Sequence, residues 1–186
     1  MTSLDLYILM LLKRGINTPY SLRTRGGISL GASLPAIRRL LDRHLVKEIA
    51  GGTRGKREFQ PTKMGERELG NLEGYLERAL KDSTSDIASD LRMVACAVAS
   101  GKRQVAIDLL EKAVLEYSSR SDQLAGTLPD LLAEGDLASL YLGLTGYCEN
   151  QTLRSYAESL RSLASHFGNQ RTPPTSGRRT SRRSRR

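Results

Sequence analysis

The 186-residue chain has no tryptophan, two cysteines and two histidines, and aromatic residues make up only 5% of it. Each shortage excludes something. Cys96 and Cys148 sit in separate apolar stretches that read as helices, so no disulfide scaffold is expected. Both thiols are expected to be packed, as suits a reducing cytosol. His44 and His166 have no cysteine or carboxylate ligand pattern around them, which argues against a zinc centre. Two histidines also leave no base partner for a Ser, Thr or Cys nucleophile, and no glycine-rich phosphate loop follows a strand into a helix. The chain therefore reads as a non-enzyme without metal or cofactor. Its longest uninterrupted apolar run, Leu6–Leu12, is seven residues. A membrane span needs roughly 20. The run also follows Asp5 instead of a basic region, so it does not read as a signal peptide, and no membrane partner is expected.

What the chain does have is segregated charge. Residues 1–67 carry 13 Lys/Arg against 5 Asp/Glu, residues 68–168 carry 9 against 15, and residues 169–186 carry 7 Arg and no acid. A basic unit, an acidic middle and a basic tail imply separate jobs, and a basic unit is the footprint of a polyanion partner. The plain alternative is a solvated surface with a solubilising tail.

Residues 3–14 place Leu4, Ile8, Leu11 and Leu12 at helical spacing and stop at Gly15. Thr18 caps a second helix with Pro19 in its first position, running to about Arg25. A turn over residues 28–31 leads to a third helix, ending near His44, that buries Ile37, Leu40 and Leu41 and carries Pro35 near its start or is bent by it. Residues 45–50 and 57–61 read as two extended runs joined by a Gly-rich loop, a hairpin. Thr62 then caps one long helix from Lys63 to about Lys81, with Leu69, Leu72, Leu76 and Ala79 along a seam.

Ser83-Thr84-Ser85 reads as a hinge, and beyond it the pattern is helical. Asp86 caps residues 87–100, residues 102–117 form a second helix, residues 129–133 a short one, and Asp136 caps residues 137–148. Leu153, Tyr156, Leu160, Leu163 and Phe167 recur at 3-4-3-4 spacing, a stripe for the chain's own core or for a second copy. Residues 169–186 are Ser, Thr, Arg and Pro with almost nothing apolar, and disorder is expected there.

Helix, helix, turn, helix, hairpin, helix is the order of a winged helix-turn-helix. The expected fold is mainly α: three helices and a β-hairpin wing within residues 1–82, an all-helical domain over 83–168, and the tail 169–186. The third helix would turn Ala32, Pro35, Arg39 and Arg43 outward, with Arg38 at the flank. Its candidate DNA contacts are Ser33, Pro35, Arg38, Arg39 and Arg43. Arg54, Lys56 and Arg57 are the candidates at the wing. Arginine on such a helix matches the two acceptors of a guanine edge, and a basic wing matches the phosphate backbone. His44 fits a packing or capping role at the helix end.

Particular segments carry a resemblance. They are Leu4–Arg14, Thr18-Pro19-Tyr20-Ser21-Leu22, Ser29-Leu30-Gly31-Ala32-Ser33-Leu34-Pro35-Ala36-Ile37-Arg38-Arg39-Leu40, and Gly55 through Gly65 with Arg57, Phe59, Thr62 and Gly65 in place. With these, residues 4–65 resemble the DNA-binding domain of the PadR family of bacterial transcription regulators. Ser29, Gly31, Pro35, Ala36, Arg39 and Leu40 fit the family's third-helix pattern. Ala32 stands where the family has Thr, Leu34 where it has Tyr, and Pro61 where it has Leu. The resemblance implies a cytoplasmic, nucleoid-associated regulator that binds operator DNA as a homodimer, more often a repressor than an activator, with a small-molecule effector in some members. It also implies that Tyr20 packs between helices and that the helical C-terminal domain dimerises. Leu69, Leu72, Leu76, Leu153, Tyr156, Leu160 and Leu163 are the candidate dimer contacts. Two rival readings remain open: a winged-helix protein-interaction module, and a nonspecific nucleic-acid-binding accessory protein driven by the Arg tail.

Overall fold

Hydroxyl caps start every helix of the N-terminal third. Thr2 opens α1 (Ser3–Lys13): its Oγ1 accepts from the Asp5 N–H at 3.2 Å, and the Asp5 carboxylate accepts from the Thr2 N–H at 3.1 Å. Thr18 caps α2 (Pro19–Thr24) in the same way through Ser21. Each such cap satisfies donors that a helix start leaves unpaired. The chain is seen here in a computed structural model that describes residues 1–49, 57–82, 86–133 and 136–169. The expected hinge at residues 83–85, most of the wing loop and the tail from residue 170 lie outside the described residues.

Ser29 accepts from the Ala32 N–H at 3.2 Å and starts α3 (Leu30–Asp42). Leu30 and Gly31, expected in the preceding turn, are therefore helical. Pro35 becomes the sixth residue of α3, inside it, and offers no N–H to the Gly31 carbonyl. The helix closes at His44, which adopts φ 55°. The His44 N–H donates to the Leu41 carbonyl and the Leu45 N–H to the Leu40 carbonyl, both at 2.9 Å. These two bonds make a Schellman closure, and terminating α3 is the role His44 plays.

β1 (Val46–Ile49) and β2 (Glu58–Pro61) pair antiparallel, Val46 opposite Pro61 and Ile49 opposite Glu58. The hairpin root is tied down twice. The Phe59 N–H donates to the Asn17 carbonyl at 2.8 Å, and Asn17 Nδ2 donates to Glu58 at 3.0 Å. Thr62 then links strand to helix: its N–H donates to the Leu45 carbonyl at 2.9 Å, its Oγ1 donates to the His44 carbonyl at 2.7 Å, and Oγ1 accepts from the Gly65 N–H at 3.2 Å. A Cβ at residue 65 would lie 2.1 Å from the Leu45 carbonyl oxygen, so the Thr-x-x-Gly pattern is a packing requirement.

The long helix expected from Lys63 to Lys81 is two helices, α4 (Lys63–Gly70) and α5 (Leu72–Lys81). Gly70 and Asn71 are weak helix formers, and the Asn71 N–H turns back to the Arg67 and Glu68 carbonyls at 3.1 Å. After Asp86, which accepts from the Ser89 N–H at 2.8 Å, come α6 (Ile87–Ala99), α7 (Arg103–Ala133, 31 residues) and α8 (Leu137–Asn169, 33 residues). Asp136 caps α8, as expected, through the Ala138 and Ser139 N–H groups. The separate helices expected over 102–117 and 129–133 are one, and α8 runs unbroken through Gly143 and Gly146. Lateral packing of α7 on α8, antiparallel along their length, outweighs Pro129 and the glycines.

The seam between α7 and α8 is narrow. α8 turns Gly143, Asn150, Leu153, Ala157, Leu160 and Ala164 inward. Ser121 Oγ donates to Asn150 Oδ1 at 2.8 Å, and Asn150 Nδ2 donates to the Ser121 carbonyl at 3.0 Å. A satisfied polar pair inside a helix seam fixes the register of the two helices.

One buried cluster runs from Leu6, Ile8 and Leu9 of α1 through Leu40, Phe59 and Leu76 to Cys96, Leu110 and Leu160; its buried members end at Tyr117 on α7 and resume at Leu153 on α8. α1 lies between α3 and α6. Cationic side chains fasten helix ends across it: Arg14 donates to the Ala99 carbonyl at 2.7 Å, and Lys112 to the Ala79 carbonyl at 2.6 Å. Burial pushes the Cys96 thiol up to about 12, so it is inert. Cys148, expected to be packed, is exposed.

Candidate nucleic-acid interface

α3 presents its face by the placement of four inward residues. Ser33, Ala36, Ile37 and Leu40 are buried. At 3.6 residues per turn, Gly31, Leu34, Pro35, Arg38 and Asp42 then share an outward arc of about 100°. All five are exposed. Leu30, at the arc's edge, and Leu34 are 40% and 48% exposed. Arg38 and Arg43 form no ion pair among the described residues.

This phase corrects two expectations. Ser33 is fully buried, its hydroxyl donating to the Leu30 carbonyl at 3.4 Å, so it has no surface for DNA. Arg38 is central on the outward arc and Arg39 is at its flank, the reverse of the expected order. Arg39 Nη2 donates to Asp5 Oδ1 at 2.6 Å, and the Asp5 side chain is only 3% exposed. Arg39 thus holds α3 to the start of α1. The signal was present in the sequence: Asp5 is a single acid in an otherwise apolar first helix.

On the hairpin, Arg57 is exposed and 3.4 Å from Glu48 on the facing strand. An ion pair this open to water contributes under about 1 kcal/mol, so Glu48 yields readily to a stronger anion. Arg54 and Lys56 lie outside the described residues. Lys47 on β1 and Arg23 and Arg25 at the end of α2 are also exposed. Tyr20, expected between helices, is 74% exposed on α2.

The candidate dimer contacts divide differently. Leu69, Leu72, Leu76, Leu153 and Leu160 are buried within their own chain and have no face left for a partner. Tyr156 and Leu163 remain partly open. A row of exposed apolar residues lies elsewhere: Leu137, Tyr141, Leu144 and Tyr147 on α8. Periodicity alone does not tell such an outward apolar row from an inward one. Among the described residues no helix is long and apolar enough to cross a membrane, and no group of His, Cys, Asp and Glu is placed to hold a metal ion.

No protein-family model and no curated protein matches the chain. Among solved structures the chain is similar to Bacillus subtilis PadR in complex with operator DNA, at 21% identity over 88% of this chain and 98% of that one, with a TM-score of 0.34.

Proposed function

We propose that the chain is a DNA-binding transcription regulator of the cytoplasm that acts as a homodimer, as a repressor, with α3 in the major groove. The observation that carries this reading is the outward arc of α3, held rigidly against α1 and α2, with Arg38 and Arg43 uncovered beside a basic hairpin. Arg43, Lys47 and Arg57, with Arg54 and Lys56 in the loop between the strands, suit phosphate contacts that supply affinity. Arg38 suits a guanine edge.

The homodimer rests on α8. Among the described side chains of its first half, the buried positions are small or polar, Ser139, Gly143 and Asn150, while Leu137, Tyr141, Leu144 and Tyr147 face water. A helix that turns its larger apolar side chains away from its own partner helix has a second surface to bury. A second copy brings a second α3, and dimeric readers of this kind meet successive major grooves about one helical turn apart. An effector belongs to the same reading, and a cavity of about 310 Å³ lined by Leu6, Tyr75, Arg78, Asp90 and Met93 lies where α1, α5, α6 and α7 meet.

The second reading, a protein-interaction module, is favoured by exposed Leu30 and Leu34 on α3. Selection of bound sites from random duplex DNA at several salt concentrations, with and without residues 169–186, separates them. A two-fold-symmetric site kept by the tail-less protein and weakened in Arg38→Ala supports the regulator. Binding that disappears with the tail, without an enriched site, overturns it in favour of nonspecific polyanion binding. No duplex binding at all overturns it in favour of the interaction module.

A further inference from the structure

The first two turns of the exposed α3 face are apolar, and that is unusual for a helix meant to meet a polyanion. Leu34 and Pro35 stand on the two sides of the outward arc with Leu30 at its edge, and all three are exposed. Gly31 between them has open space where a Cβ would be, so the backbone itself can come close to whatever lies opposite. All four occupy the first two turns of the helix, the part that reaches base edges when a recognition helix lies in the major groove. Arg38 follows one turn on along the same arc, and Arg43, the C-cap residue, lies about two turns beyond the patch.

An apolar patch followed by cations has a specific complement on duplex DNA. The only apolar group that base pairs present in the major groove is the 5-methyl of thymine. Resting on the DNA-binding reading above, we propose that Leu34 and Pro35 read thymine methyl groups, and that Arg38, one turn further along the same arc, reads a neighbouring guanine. Specificity then comes from the methyl contacts and one bidentate arginine, while the flanking cations hold the phosphates. A protein partner fits the patch less well, because its surroundings on α3 and the hairpin are dominated by Arg38, Arg43, Lys47 and Arg57. Asp42, on the same arc at the far end of α3, lies one turn from Arg38 and away from the base-reading turns.

The test uses the full chain. Duplexes carrying the site enriched by selection are synthesised with deoxyuridine replacing thymidine at one position at a time, which removes only the methyl. Binding is measured at fixed salt for the unaltered chain and for Leu34→Ala, a half-exposed position outside the buried cluster, with melting curves as a check. One or two thymines per half-site should weaken binding about fourfold each on losing the methyl, the value of one buried carbon. The penalty opposite Leu34 should vanish in Leu34→Ala. Arg38→Ala should relax one guanine position without changing the deoxyuridine penalties. If an enriched site is bound and every deoxyuridine substitution is neutral, methyl reading is overturned while the regulator reading stands. If no site is enriched, both are overturned.

Discussion

Arg39 and Arg38 are neighbours in sequence, yet their replacement by alanine should give opposite kinds of variant. Arg39→Ala removes the donor to Asp5, whose side chain is 3% exposed and, among the described residues, keeps the Thr2 N–H at 3.1 Å as its partner. The guanidinium is itself 47% exposed, so part of its attraction to the carboxylate is screened by water. A charge-assisted hydrogen bond is worth about 1.5–3 kcal/mol, and the carboxylate left behind stays desolvated, so about 2 kcal/mol is expected. For a chain of this size that lowers the Tm by about 4–8 °C. The pair can be isolated with Asp5→Asn, which keeps an oxygen for the helix cap but removes the charge. In that background Arg39→Ala should cost under about 0.5 kcal/mol, leaving a coupling of about 1.5 kcal/mol between the two sites. Urea titrations followed by circular dichroism give the stabilities. Duplex binding well below the Tm should change less than about threefold for Arg39→Ala, and about tenfold or more at the selected site for Arg38→Ala, the loss of one guanine contact. The reasoning fails if Arg39→Ala melts like the unaltered chain and loses the site: Arg39 would then leave Asp5 for DNA.

Three further outcomes follow from the packing. Gly65→Ala places a methyl 2.1 Å from the Leu45 carbonyl oxygen and should cost about 2–3 kcal/mol in urea unfolding, because the obstacle is backbone that cannot rotate away. Burial raises the Asp90 carboxyl above its ordinary 3.8, more than the Tyr117 hydroxyl donating to it at 3.0 Å and the charge of Lys112 lower it, while Asp86 and Glu116 add to the rise. Such a group binds its proton more tightly folded than unfolded, so the stability it contributes is complete below 3.8 and is lost as pH rises through the folded value. Asp90→Asn should therefore match the unaltered chain in acid and exceed it at neutral pH, read as urea midpoints across a pH series; a gap that shrinks toward neutrality contradicts the account. Tyr141→Glu with Leu144→Glu, both on the exposed row of α8, should halve the mass seen by sedimentation while shifting stability by about 0.5 kcal/mol or less per site, and an unchanged mass removes that row from the dimer contact.

Local signals made the N-terminal third legible. Thr18-Pro19, the Gly-rich interruption between two extended runs, and Thr62 each act within a few residues, and α2, the two strands and the start of α4 stand where those signals put them. Helix length was not legible, because it is decided at a distance. Pro129, Gly143 and Gly146 weaken a helix by themselves, yet a seam shared by two helices of 31 and 33 residues carries both through. At Gly70-Asn71 comparable residues do break the helix, with α5 resuming on the same buried face at Leu72 and Leu76.

The phase of a helix is the harder quantity, and the candidate site depends on it. A stripe drawn through the largest apolar residues of α8 takes in Tyr156 and Leu163 and fits either the chain's own core or a second copy, whereas the structure leaves both partly exposed and buries Ala157 and Ala164. The same habit on α3 counted Leu41 as core and left Ser33 outside. The structure buries Ser33 completely and Leu41 only in part. Moving one small polar residue in and one leucine partly out rotates the helix enough to exchange Arg39 for Arg38 at the centre of the outward face. It also leaves Leu34 at the side of that face, 48% exposed. A hydrophobic residue facing water on a basic surface contradicts a purely electrostatic partner. It does not contradict a partner whose groove carries methyl groups between phosphates, and under the proposal above Leu34 is a residue of specificity, which the deoxyuridine series tests.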